Sequence, residues 1–169
     1  ALTPSKVYRI LDANFNRCRE GLRVCEDVAR FALDAGGLAL ELKKNRHAVS
    51  ALWKKMFEAD TALLRSRDSA GDVGKASSRL EAPRAGFWGL YWANSQRAKE
   101  ALRALEETVK LLDGRTAAKF KRIRFRVYTL EKRALPKLEA LYHHDARSGV
   151  GRKSASGRPR RRGRRPTAR

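Results

Sequence analysis

The chain contains its own approximate copy. Residues 13–31, ANFNRCREGLRVCEDVARF, return eighty positions later as residues 93–111, ANSQRAKEALRALEETVKL, with seven of nineteen positions identical. A second segment, LKKNRHAVSAL (42–52), matches FKRIRFRVYTL (120–130) at an offset of 78, keeping Lys43/Lys121, Arg46/Arg124, Val49/Val127 and Leu52/Leu130. Two segments in the same order, duplicated once, define a helix–turn–helix unit whose connecting turn differs by two residues between copies. Two copies are too few for a solenoid. The pattern therefore predicts an all-α bundle of about four main helices with approximate two-fold symmetry.

The apolar spacing agrees. Leu11, Phe15, Cys18, Leu22, Cys25 and Ala29 form one helical stripe, and Ile10, Gly21, Val24, Val28 and Phe31 form the next. Thr3-Pro4 suits the first helix start, and Gly36-Gly37 its stop. Leu38, Leu42, Val49, Leu52 and Met56, with Trp53 and Phe57 beside them, predict a second helix. Residues 65–86 are loop by composition. Two further helices follow, over roughly 87–112 and 116–142, with Asp113-Gly114 between them and Pro136 expected to kink or break the last. A single helical domain over 1–145 is expected.

The formal net charge of +21 is unevenly placed: ten Lys or Arg and no acid fall in 146–169, leaving +11 on residues 1–145. The tail is expected to be disordered, since it has almost nothing to bury. It would attract polyanions, non-specific nucleic acid included, but it lacks an aromatic for base stacking. Cys18 and Cys25, about 10 Å apart on one helix, are too far apart for a disulfide and read as core thiols. No signal peptide or membrane span is visible, so the cytoplasm is the expected location.

The chemistry lies in polar residues on apolar faces. Helical projection places Asn14, Arg17, Arg46, Asn94, Arg97, Arg124 and Glu131 inward, four arginines against one acid. Unpaired buried guanidinium is costly, by several kcal/mol on the order of magnitude. The expectation is thus a wet pocket that receives an anionic ligand, with Arg forks from both halves suiting two or more phosphates. In RDSAGDVG, Asp68 and Asp72 are spaced four apart among glycines and could hold Mg²⁺ beside such phosphates. No Walker A loop or protein-kinase signature occurs. His47, His143 and His144 read as surface or terminal residues.

RILDANFNRCREGLRVCEDVARF, ELKKNRH, RDSAGDVG, ANSQRAKEALRALEE and FKRIRFRVYTLEK, in that order over about residues 5–135, resemble the small hydroxymethylpyrimidine phosphate kinase family of thiamine biosynthesis. Members occur alone or fused in front of thiamine-phosphate synthase. The resemblance implies ATP- and Mg²⁺-dependent phosphorylation of 4-amino-5-hydroxymethyl-2-methylpyrimidine phosphate to the diphosphate. The family's motifs fall on Asn14, Arg17, Glu20, Arg23, Asp68, Asp72, Asn94, Arg97, Glu100, Arg103, Arg124 and Tyr128. With no synthase barrel in the sequence, this chain is not expected to join pyrimidine to thiazole.

On this reading Arg17 and Arg97 are catalytic, together with Asp72. Asn14, Arg46, Asn94, Arg124 and Tyr128 bind substrate or phosphate, and Asp68 and Asp72 hold the metal. Two other functions fit the same sequence. One is a non-catalytic partner of a separate thiamine-phosphate synthase; the other is a nucleic-acid-binding helical protein acting through its tail.

Overall fold

The computed structural model describes residues 4–57, 61, 65–67, 71, 84 and 86–148. Four helices account for nearly all of them: α1 (Pro4–Phe31), α2 (Gly36–Phe57), α3 (Gly86–Val109) and α4 (Gly114–Ser148). No strand occurs among the described residues. The expected all-α bundle is thus what forms. The most extensive interface is α1 on α3; α2 flanks α1, α4 flanks α3, and α2 touches α4. That cycle, with α1 equivalent to α3 and α2 to α4, is the arrangement a duplicated hairpin gives when two copies close on each other.

The α1–α3 crossing is tight for a local reason. A Cβ built on Gly21 would lie 2.7 Å from the Asn94 carbonyl oxygen and 3.2 Å from the Ala98 Cβ, so only glycine allows this approach. Four residues on, the Cys25 thiol donates to the Tyr91 carbonyl at 3.6 Å. Advancing along α1 thus means receding along α3, and the two helices run antiparallel. Leu11, Cys18, Leu22, Leu102, Leu105, Phe120, Val127 and Leu130 join them in one continuous core.

Three boundary expectations are corrected. The first helix does not stop at Gly36-Gly37: it ends at Phe31, and the two glycines open α2. Asp34 makes the reversal with φ 46°, a left-handed conformation that Asp tolerates better than most residues. The Val28 carbonyl then accepts from Ala32 and Leu33, and the Ala29 carbonyl from Ala35. The third helix ends at Val109 rather than 112. The last helix neither breaks nor stops at Pro136 but runs on to Ser148. Proline removes one backbone donor there, and the acceptor it deprives, on Lys132, belongs to an exposed residue that water can serve.

At the start of α4, Asp113 accepts from the Arg115 N–H at 2.9 Å, the Thr116 N–H at 3.2 Å and the Thr116 hydroxyl at 2.6 Å. This is an N-cap that satisfies donors the helix leaves open. These bonds, the Thr116 hydroxyl first, hold the Asp113 carboxyl below its usual range. Of the disordered tail expected over 146–169, residues 146–148 instead continue α4; residues 149–169 lie outside the described residues, as do Asp68 and Asp72.

Candidate functional site

The polar residues kept between the two halves divide into two sets with different surroundings. The first set is an ion-pair network, and it occurs twice. The Arg124 Nε and Nη2 donate to Glu106 Oε2 at 3.1 and 2.7 Å, while Arg103 Nη1 reaches Glu106 Oε1 at 2.9 Å and Glu107 Oε1 at 2.8 Å. In the other half the Arg46 Nε donates to Glu26 Oε2 at 2.9 Å, with Arg23 3.7 Å from Glu26 and 3.1 Å from Asp27. Glu26 and Glu106 are equivalent positions, as are Arg23 and Arg103, and Arg46 and Arg124.

Arg46 and Arg124 are therefore inward, as projected, but each already grips a buried carboxylate. This corrects the expectation that they face an anionic guest unpaired. Glu106 holds the Arg124 guanidinium charged still more firmly than usual, chiefly through that hydrogen bond. The two glutamates were missed as inward residues. Their signal was present in the sequence: an acid duplicated in step with an arginine that cannot be buried alone. Tyr128 sits beside this network, its hydroxyl accepting from Arg124 Nη1 at 3.0 Å. Glu131, the one acid projected inward, is held by the Lys99 ammonium at 2.7 Å to both oxygens and by the Ser95 hydroxyl at 3.0 Å.

The second set is Asn14, Arg17, Asn94 and Arg97. Projection placed all four inside the apolar arc, and for the arginines this is wrong: Arg17 and Arg97 are exposed. The reason is which way the arc turns. On α1 it reaches from Val28 to Asp12, so its polar edge toward α2 carries Asp12, Arg19 and Glu26, while Arg17 lies just beyond the opposite edge. Asn14 and Asn94 are half-buried near the α1–α3 crossing, their amides donating to the carbonyls of Ile10 and Leu90 one turn back.

By the antiparallel register fixed by Gly21 against Asn94 and Ala98, and Cys25 against Tyr91, Arg17 and Arg97 fall within about one helical turn of each other along the seam. Both lie on the side of α1 and α3 turned away from α2 and α4. Ala13/Ala93 and Glu20/Glu100 project to that side as well, so three of the seven identical repeat positions share it. Neither Arg17 nor Arg97 has a hydrogen bond or ion pair among the described residues.

Elsewhere the groups are quieter. Burial pushes the Cys18 and Cys25 thiols up to about 12 each, which makes them inert core residues as expected. Asp12, buried on α1, accepts from Arg67 Nε and, at 2.7 Å, from Arg67 Nη2, tying the chain after α2 back to α1. An open cavity of about 400 Å³ lies at the start of α2, lined by Ala35, Gly36, Gly37, Leu38, Arg133 and Lys137, and includes none of the sequence-predicted residues. Among the described residues no three metal-ligating side chains cluster, and no helix is long and apolar enough to cross a membrane.

An all-α bundle with a doubled Arg–Glu brace and a doubled Asn–Arg face defines the class of this molecule. Residues 9–133 match the ThiD2 family, and the chain belongs to that family. It is similar to a thiamine-phosphate synthase of Nostoc sp. (strain PCC 7120), with 45% identity over 126 residues that cover 74% of this chain and 34% of the relative. A thiamine-phosphate synthase of Synechocystis sp. (strain PCC 6803) is 44% identical over 130 residues, 76% of this chain and 36% of that protein. One of Rhodopirellula baltica is 40% identical over 123 residues, 72% and 32% respectively. The chain thus spans about a third of the length of the relatives it matches. No solved structure matches it.

Proposed function

We propose that this thiamine-biosynthesis domain is a hydroxymethylpyrimidine phosphate kinase, transferring the γ-phosphoryl of ATP to the phosphate of 4-amino-5-hydroxymethyl-2-methylpyrimidine phosphate. One observation carries the reading: Arg17 and Arg97 are kept in both halves and both are exposed, although neither has a structural partner among the described residues. Packing gives no reason to retain them there, whereas binding phosphates does. An oxygen of the substrate phosphate attacks the γ-phosphorus, the bond to the β–γ bridging oxygen breaks, and ADP leaves. The attacking phosphate is already ionised, so no strong base is needed; positioning and positive charge are the protein's main contributions.

In this reading Arg17 and Arg97 hold the two reacting phosphates from opposite sides of the seam, and Asn14 and Asn94 orient phosphate or pyrimidine edges. Asp72, with Asp68, would hold the Mg²⁺ that accompanies ATP and shields phosphate charge. Arg46, Arg124 and Tyr128 are given back to the scaffold. The test is ADP release by the purified chain with the pyrimidine monophosphate, ATP and Mg²⁺. Turnover is expected, falling roughly a hundredfold or more in Arg17→Ala or Arg97→Ala, the scale of a lost charge-stabilising donor. Folded variants with undiminished turnover would remove the assignment. The greater length of the relatives favours one second reading, a non-catalytic partner of a separate synthase; that reading requires no turnover alone and a stable complex instead.

A further inference from the structure

The two inter-helix grooves have diverged at equivalent positions. Lys99 corresponds to Arg19, Glu131 to Trp53, Ser95 to Phe15 and Tyr128 to Ser50. In the α3–α4 groove every cation has an acid: Lys99, Arg103 and Arg124 meet Glu131, Glu107 and Glu106. In the α1–α2 groove, Arg23 and Arg46 share Glu26 and Asp27, and the place of the third acid is taken by Trp53. Arg19 is the cation left over. Its guanidinium lies over the Phe15 ring at 5.2 Å, and its Nε is buried with no hydrogen-bond partner among the described residues.

We propose that the α1–α2 groove is an anion site in which Arg19 binds a phosphate group, as the free ion or as a monoester. A buried donor without an acceptor is destabilising, and an oxyanion is the group that would relieve it, since no carboxylate of the groove does. The planar guanidinium fork fits two phosphate oxygens. Phe15 and Trp53, stacked at 4.1 Å between ring centres, wall the groove with apolar surface, where a charged hydrogen bond gains strength. Ser50 turns its hydroxyl to the Arg46 carbonyl, so the phenol that Tyr128 places near Lys99 in the other groove has no counterpart at the equivalent position here. The site lies across α1 from Arg17 and does not rest on the kinase reading.

The experiment is calorimetric titration at fixed ionic strength, in the full chain carrying Arg17→Gln and Arg97→Gln so that the open face contributes nothing. Inorganic phosphate and the pyrimidine monophosphate serve as probes. One binding event is expected, weakened tenfold or more by adding Arg19→Gln and partly restored by Arg19→Lys. Trp53→Glu, which supplies the acid found in the other groove, should weaken it similarly. Tighter binding of the ester than of inorganic phosphate identifies an esterified occupant, and the reverse order identifies the free ion. If the background chain binds neither probe, or if Arg19→Gln in a folded chain binds as tightly as the background, the proposal is overturned.

Discussion

The α1–α2 half and the α3–α4 half began from one unit and solved the same packing problem with different side chains. Where α1 meets α2, Phe15 stacks on Trp53 with the rings 8° from parallel, and Phe57 and Tyr8 extend the cluster. Where α3 meets α4, the positions of Phe15 and Trp53 carry Ser95 and Glu131, and Lys99, the equivalent of Arg19, has Trp92 and Tyr128 flanking its ammonium at 5.4 and 5.6 Å. One half is held by apolar contact, the other by charge. Both keep the Arg–Glu brace, so the brace is what the fold could not replace, and the neighbouring positions are where it could vary.

The largest effect should come from breaking the brace. Glu106→Ala removes the acceptor of two Arg124 bonds and one from Arg103, leaving a buried guanidinium uncompensated; about 3–5 kcal/mol of stability should go. Glu26→Ala should cost less, because Arg46 makes a single hydrogen bond there. Urea unfolding of the two variants checks the order, and equal losses would mean that the halves are not braced differently. Next is Gly21→Ala, which drives a methyl into the Asn94 carbonyl and should cost about 1–3 kcal/mol, the range for overpacking. Thermal unfolding measures it.

Alkaline pH separates the halves in another way. Cys18 and Cys25 both lie in α1, with Ala98 and Leu105 as their equivalents in α3. Each thiol is raised from 9.0 to about 12 by burial. Their contribution is full below about 9 and is lost as the pH rises from there toward about 12, because only the unfolded chain ionises in that window. Cys18→Ala with Cys25→Leu should therefore flatten the alkaline fall in stability. Some fall will persist, since burial also raises the Tyr91 phenol. The smallest effect expected is at Asp113, whose lowered carboxyl adds stability that is present above the ordinary carboxylate range and lost as pH falls through its own. Asp113→Ala should lower the melting temperature at neutral pH and much less in acid.

The fold was legible because a duplicated apolar pattern has few ways to close. The site was legible only in part. Helical projection finds an arc but not which of its edges meets a neighbour, and so Arg17 was placed inside and Arg19 passed over. It also treats each helix alone, whereas the partner of Arg124 is Glu106, eighteen residues earlier on a different helix. Identity between repeats was a sound guide to importance yet blind to kind: Glu26 and Arg17 recur equally, one for a brace and one on an open face. Asp68 and Asp72 fall in a segment whose placement no periodicity specifies.

The distribution of tryptophans makes the divergence optically readable. Trp53 is pressed against Phe15 next to Arg19, whereas Trp88 and Trp92 stack parallel at 6.3 Å in the other half, Trp92 half-open to solvent. Fluorescence from Trp53 alone, in a chain with phenylalanine at 88 and 92, would report on one hairpin while its twin stays dark. Nature has wired a separate indicator lamp into each copy of the motif.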